Sequence, residues 1–144
     1  MSKKIAVGFD GSESAVGALD FAVSMAKASG SELVVAHVLE WSPYTFLTPI
    51  ELEERHKRRK EELERAEKAI LTPALDKLAK SGVKVTTALK YGHIAETLIQ
   101  IAEEHGVDQI VIGRNGHSQL SSRLFGSVAG SLAQAASVPV TIVP

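Results

Sequence analysis

The sequence predicts an α/β fold: an open, doubly wound, five-stranded parallel sheet in the order 3-2-1-4-5, with helices on both faces. Three observations predict it. Apolar runs of strand length alternate with helical patterns along the chain. The first and fourth runs are almost wholly apolar, as in strands buried on both faces. The third run is amphipathic and the fifth carries Pro139, which suits the two edges of a sheet. A length of 144 residues with 44% hydrophobic content is enough for one core, so residues 1–144 are read as a single domain without repeat or linker.

Lys4–Phe9 is the first strand, and Asp10-Gly11-Ser12 follows it. Ser12 or Ser14 can cap a helix whose apolar face is Ala15, Leu19, Ala22, Val23 and Ala26, and Gly30 suits its end. Glu32–Val38 is the second strand. A loop with Trp41, Pro43, Tyr44 and Pro49 leads into a charged segment from about Ile50 to Lys80. Pairs such as Glu51/Arg55, Glu54/Arg58 and Glu61/Arg65 are spaced i,i+4 in the favourable order, which reads as a solvated helix; interleaved glutamates spoil any basic contact surface. Leu63, Ile70, Leu71, Ala74, Leu75 and Leu78 restore a core face, and Pro73 should bend or interrupt the helix. Val83–Leu89 is the third strand. Ile94, Leu98, Ile101 and Ala102 mark a helix closed by Gly106. Asp108–Ile112, Ser127–Ala136 and Val138–Val143 complete the pattern as strand, small-residue helix and strand.

In such a sheet the direction of chain growth reverses between strands one and four, and ligands bind beyond the strand ends at that point. Two loops meet there, Asp10-Gly11-Ser12 and Gly113–Gly126. Glycines at 113 and 116 allow sharp turns and close approach. Gly126-Ser127 stands at a helix start, where unpaired N–H groups favour an anion. The alternative reading is that these glycines only turn a loop and pack a helix.

Gly113-x2-Gly116-x9-Gly126-Ser127 resembles the G-2x-G-9x-G-[S/T] motif of ATP-binding universal stress proteins. At an average glycine frequency of about 7% a chance match is expected well under roughly once in a hundred chains of this length. The resemblance extends through IAVGFDGSESA, LVVAHV, VDQIVIGRNG and GSVAGSLAQAASVPVTIV, which is nearly the whole chain. It implies the adenine nucleotide alpha hydrolase-like variant of the fold and an adenine nucleotide, ATP above all, with Mg²⁺ or Mn²⁺ bound through the phosphates. It assigns Asp10 to the ribose hydroxyls, the backbone of Val38 to the adenine, and Gly113, Gly116, Gly126, Ser127 and the Val128 N–H to the phosphates. Arg114 is placed to neutralise phosphate charge. It also implies a regulatory, stress-associated homodimer joined along the C-terminal strand, the ladder centring on Val140–Val143.

Other functions are disfavoured. A net charge of −1 with mixed signs favours neither nucleic acid nor an anionic membrane. The absence of cysteine excludes disulfides, thiolate metal sites and a cysteine nucleophile. No run has transmembrane length, and the N-terminal apolar run stops at Asp10, too short for a signal peptide, so a cytoplasmic protein is expected. No P-loop, G-x-G-x-x-G, H-E-x-x-H or G-x-S-x-G pattern occurs. His37 lies inside a strand, where packing is its ordinary role, and His93 stands at a helix start, where capping is. With no evident general base, retention of nucleotide is expected over hydrolysis. The alternatives are a weak ATPase or nucleotide hydrolase, and a structural dimer that binds no nucleotide.

Overall fold

A computed structural model describes residues 3–40, 48–115 and 127–144. Five parallel strands, β1 (Lys4–Gly8), β2 (Glu32–Glu40), β3 (Val85–Gly92), β4 (Gln109–Gly113) and β5 (Val140–Val143), form one sheet in the order β3-β2-β1-β4-β5. The order is the one the sequence predicts.

Strand alternation divides the core into two halves, one on each face of the sheet. Ile5 and Val7 of β1, Leu33 and Val35 of β2 and Val111 of β4 face α1 (Glu13–Ser29) and α3 (Thr72–Leu78), meeting Leu19, Ala22, Ala74 and Leu78. Ala6, Val34, Ala36, Ile110 and Ile112 face α4 (Ile94–His105) and α5 (Ser127–Ala135), meeting Leu98, Ile101 and Leu132. The middle residues of the central strands are buried because both faces are covered, while their ends are half-buried or exposed. All four residues of β5 are half-buried, as expected at an edge.

Strand ends differ from the sequence reading where pairing decides them. β2 and β3 run together as far as Glu40↔Gly92, three residues past the predicted end of β3 and two past that of β2. β1 stops at Gly8, paired with Ala36. β2 therefore projects beyond β1, and this stagger opens the crevice between β1 and its neighbours.

The charged segment forms α2 (Pro49–Ala66), capped by Thr48, whose Oγ1 accepts the Glu51 N–H at 3.2 Å. Of the i,i+4 pairs, Glu54 and Arg58 approach to 3.6 Å with both side chains exposed. Pro73 interrupts the helix by an identifiable route. It has no N–H to donate to the preceding turn, and its ring crowds the carbonyl there. The backbone widens into a π-helical turn, Glu67–Leu71, and the Thr72 N–H reaches back to the Glu67 carbonyl. The Thr72 hydroxyl donates to the same carbonyl at 3.0 Å.

α2 is tied to the sheet edge by Tyr91 of β3. The Tyr91 hydroxyl donates to Glu62, and Arg59 lies 5.4 Å from the ring centroid. Burial, and then the Glu62 carboxylate, push the phenol up to about 12, with Arg59 opposing. Since the folded value exceeds the unfolded one, the contact stabilises the fold fully below the ordinary phenol range and loses its contribution as pH rises from about 10 through about 12. In a Tyr44→Phe background, ultraviolet titration should place Tyr91 near pH 12, and Glu62→Gln should bring the midpoint down; an unchanged midpoint would show that Glu62 does not hold the hydroxyl.

Candidate functional site

The site is built on the departure of β1 from the sheet. After Gly8, the Phe9 N–H still donates to the Ala36 carbonyl at 2.8 Å, the last rung of the β1–β2 ladder. The chain then turns sharply. Asp10 Oδ1 accepts the Ser12 N–H at 2.9 Å, Gly11 adopts φ +80°, and Ser12 Oγ accepts the Ala15 N–H at 3.1 Å. An aspartate side chain closing a turn two residues on is a common device, and the positive φ at Gly11 is why a glycine stands there. Ser12, buried, is thus the cap that starts α1.

Ser14, the other capping candidate, does something else. Its Oγ accepts the Asn115 N–H at 3.2 Å, joining the first turn of α1 to the chain leaving β4. Contact between the two is so close that a Cβ on Gly113 would lie 2.7 Å from the carbonyl carbon and oxygen of Ser14. Gly113 is the last residue of β4 and is not among the glycines with positive φ. The expectation that it turns the chain sharply is therefore corrected: Gly113 is glycine because the backbone of α1 lies against it. Arg114 follows, exposed, with its N–H on the Val143 carbonyl at 2.8 Å.

The remaining predicted residues fall on both sides of this junction. Gly116 and Gly126 lie outside the described residues. Ser127 is exposed and opens α5, with Val128 half-buried behind it. Their helix N-terminus borders a groove of about 490 Å³, whose lining also includes Glu40, His93, Glu96 and Ile99. His93 is the residue before α4 and makes no side-chain capping bond. Asp10 and Gly113 do not line this groove; they stand at the β1–α1 and β4 ends.

Val38 lies in the part of β2 that projects past β1, paired with Lys90 of β3. In a parallel ladder the N–H and C=O of one residue point to the same neighbouring strand, and alternate residues share a side. The Ala36 carbonyl points to β1. The N–H and C=O of Val38, two residues on, therefore point to the side that β1 has left, which is the crevice. His37, between them, is buried at 6% exposure. Its Nδ1 lies 2.7 Å from the Phe9 carbonyl oxygen. A carbonyl only accepts, so Nδ1 carries the proton. Nε2 is buried and has no hydrogen-bond partner among the described residues. A half-satisfied imidazole inside a strand is costly, on the order of 1–3 kcal/mol for an unpaired group.

Sequence reasoning placed Gly11 in the first switch-point loop, offered Ser14 as a cap and put Ser127 at a helix start, but it did not anticipate the Ser14–Asn115 bond or the Phe9–His37 contact. A signal for the first was present: Ser12-x-Ser14 offers two hydroxyls where one cap is needed.

The sequence profile of the universal stress protein family matches residues 1–144. The chain belongs to the universal stress protein family. Universal stress protein YxiE of Bacillus subtilis is 35% identical over 156 residues, covering 99% of both chains. A solved structure of MJ0577, a universal stress protein of Methanocaldococcus jannaschii, superposes with TM-score 0.81 at 29% identity, covering 99% of this chain and 96% of that one. A universal stress protein solved in complex with cAMP superposes with TM-score 0.65 at 27% identity, over 99% and 96%. The strand order of this universal stress protein, β3-β2-β1-β4-β5, is that of a fold it shares with the solved relatives.

The Gly113–Ser14 contact is open to a direct test. Gly113→Ala puts a methyl against α1 backbone, which cannot move aside as a flexible side chain would. Overpacking of this kind costs about 1–3 kcal/mol. Urea unfolding should show that loss, and removing the hydroxyl with a second change, Ser14→Ala, should restore only part of it because backbone atoms remain in contact. Full stability in Gly113→Ala would show that the two segments are not pressed together.

Proposed function

We propose that this universal stress protein binds an adenine nucleotide, ATP in particular, and acts as a regulatory homodimer that retains the nucleotide and turns it over slowly at most. The reading is supported by three groups on the elements that flank the switch point: the Asp10 turn after β1, the backbone of Val38 in the part of β2 that extends past β1, and exposed Ser127 at the start of α5. Each suits a different part of a nucleotide. A carboxylate suits ribose hydroxyls, a strand-edge N–H and C=O suit the hydrogen-bonding edge of a base, and a helix N-terminus with a hydroxyl suits phosphate. The relative solved with cAMP supports the adenine class.

In this reading Gly113, Arg114, Gly116, Gly126, Ser127 and the Val128 N–H would hold the phosphates, and Mg²⁺ or Mn²⁺ bound with the nucleotide would supply neutralisation of the phosphate charge. The donors are backbone N–H groups, one hydroxyl and one guanidinium. None of them can take a proton from water at the γ-phosphate, which is why retention is proposed over turnover. Asp10 belongs to the ribose end and its Oδ1 already accepts the Ser12 N–H.

Calorimetry of nucleotide-free protein with ATP and Mg²⁺ should show saturable binding, and Ser127→Ala should weaken it by about 1.5–3 kcal/mol, or roughly 10- to 150-fold. No binding down to millimolar affinity would overturn the proposal.

The dimer is proposed along β5. Ile110↔Val140 pairing with the Ile110 N–H on the Pro139 carbonyl at 2.9 Å fixes which groups are spent inside the sheet. The polar groups of Pro139, Thr141 and Val143 turn toward β4, and those of Val140 and Ile142 turn to the outer edge. An open edge of this kind favours pairing with another strand, and a second copy would pair antiparallel about a two-fold axis. Ile142→Pro removes an outward donor and should yield a monomer in light scattering, while Ile142→Ala, which keeps the N–H, should remain dimeric. A monomeric parent at tens of micromolar, or a dimer that survives the proline, would place β5 outside any interface.

A further inference from the structure

Counting rungs along β1 and β2 gives His37 a task that packing does not explain. The register Gly8↔Ala36 makes Phe9 N–H to Ala36 carbonyl one rung, and that bond is present at 2.8 Å. The next rung of a parallel ladder would join the Val38 N–H to the Phe9 carbonyl. That carbonyl instead accepts from His37 Nδ1 at 2.7 Å. The imidazole sits in the α1-side half of the strand's alternation, the side to which β1 turns as it leaves the sheet toward Ser12 and α1. The turn and the imidazole thus draw the Phe9 carbonyl away from Val38.

We infer that His37 is a specificity-determining residue: by capturing the Phe9 carbonyl it ends the β1–β2 ladder one rung early and keeps the Val38 N–H open to the base of the bound nucleotide. The inference rests on the adenine-nucleotide reading and adds to it the residue that makes base recognition available. With the ladder ended, Val38 presents a donor and an acceptor side by side. Adenine offers the matching pair, N1 as acceptor and the 6-amino group as donor. Guanine offers the reverse, O6 as acceptor and N1–H as donor, and meets like groups. The buried Nε2, without a hydrogen-bond partner among the described residues, points the same way: an aliphatic residue would pack there and bring no second polar nitrogen to satisfy. What an aliphatic residue cannot do is hold the Phe9 carbonyl.

Asparagine and leucine separate the two roles. The Asn side-chain NH₂ falls where Nδ1 does and can donate to the same carbonyl; Leu fills similar space and cannot. ATP and GTP, each with Mg²⁺, are the probes, titrated into the full-length parent, His37→Asn and His37→Leu. The parent should prefer ATP by roughly 10-fold or more, the worth of one to two hydrogen bonds gained or left unpaired. In His37→Leu the Phe9 carbonyl is released to the Val38 N–H, so ATP affinity should fall toward that of GTP while GTP affinity stays within about 3-fold of the parent. His37→Asn should restore the preference. A merely structural role would weaken ATP and GTP alike and would not be rescued in the ratio.

A second measurement uses the parent alone and survives any failure of the leucine variant to fold. Amide hydrogen exchange in the nucleotide-free protein should find Val38 unprotected beside a protected Ala36, with Val38 gaining protection when ATP is added. ATP preference retained in His37→Leu, or a Val38 amide already protected without nucleotide, would overturn the role of His37 and leave the nucleotide reading standing. A parent that binds neither nucleotide would overturn both.

Discussion

The rest of this site depends on where β1 stops. The strand ends at Gly8 while β2 continues to Glu40, and the Asp10 carboxylate closes the turn that follows on the Ser12 N–H. Ser12 can cap α1 only because the turn has brought its Oγ to the Ala15 N–H. The start of α1 in turn fixes Ser14, which sits against Gly113 and holds the Asn115 N–H. The direction in which the chain leaves β4 is therefore set by a turn at the end of β1, more than a hundred residues away in sequence. A change in that turn would move both walls of the crevice together.

Gly113 shows how one residue serves a motif and a fold at once. The motif reading gives it to phosphate, by analogy with glycines that let a ligand approach. In the structure the group that approaches is the backbone of Ser14. These demands are compatible, because a β4 end held tightly against α1 is a fixed base from which the following loop can start. They also mean that loss of binding in a Gly113 variant would not identify a phosphate contact, since the fold would be disturbed first. Ser127 is the cleaner probe: it is exposed, it opens α5, and it belongs to no core cluster.

The fold was legible because it depends on burial. Runs such as IAVGF and QIVIG have no polar side to offer, so they had to be central, and the amphipathic and proline-bearing runs took the edges. Strand ends were less legible because pairing with a neighbour decides them. Nothing in Leu39-Glu40 or Lys90-Tyr91-Gly92 alone says that these residues continue a ladder; each is held there by the other. The spacing of the glycines and Ser127 raised the expectation of a phosphate site; Ser127 does open α5, while Gly116 and Gly126 lie outside the described residues. The contacts around the β1 turn were not legible. Gly11, with φ +80°, looks in sequence like any glycine after an aspartate, and the sequence could not say that the Ser14 hydroxyl would reach a peptide N–H just past the end of β4.

His37 shows the limit most clearly. A histidine in the middle of LVVAHV reads as a packed residue, and it is packed. Its polar contact is to the backbone of Phe9, and no side-chain pattern marks a carbonyl as special. The carbonyl becomes special only once register is known, because the register makes it the acceptor that Val38 would otherwise use. An interrupted ladder is ordinarily a defect, since a strand N–H deprived of its partner is a cost. At a switch point the same interruption is useful: it leaves a donor and an acceptor, rigidly held by β3 on their other side, facing the space where a base would lie. Preorganised backbone groups of this kind lose little entropy on binding, so a strand ended one residue early can supply recognition that a flexible side chain would supply less well.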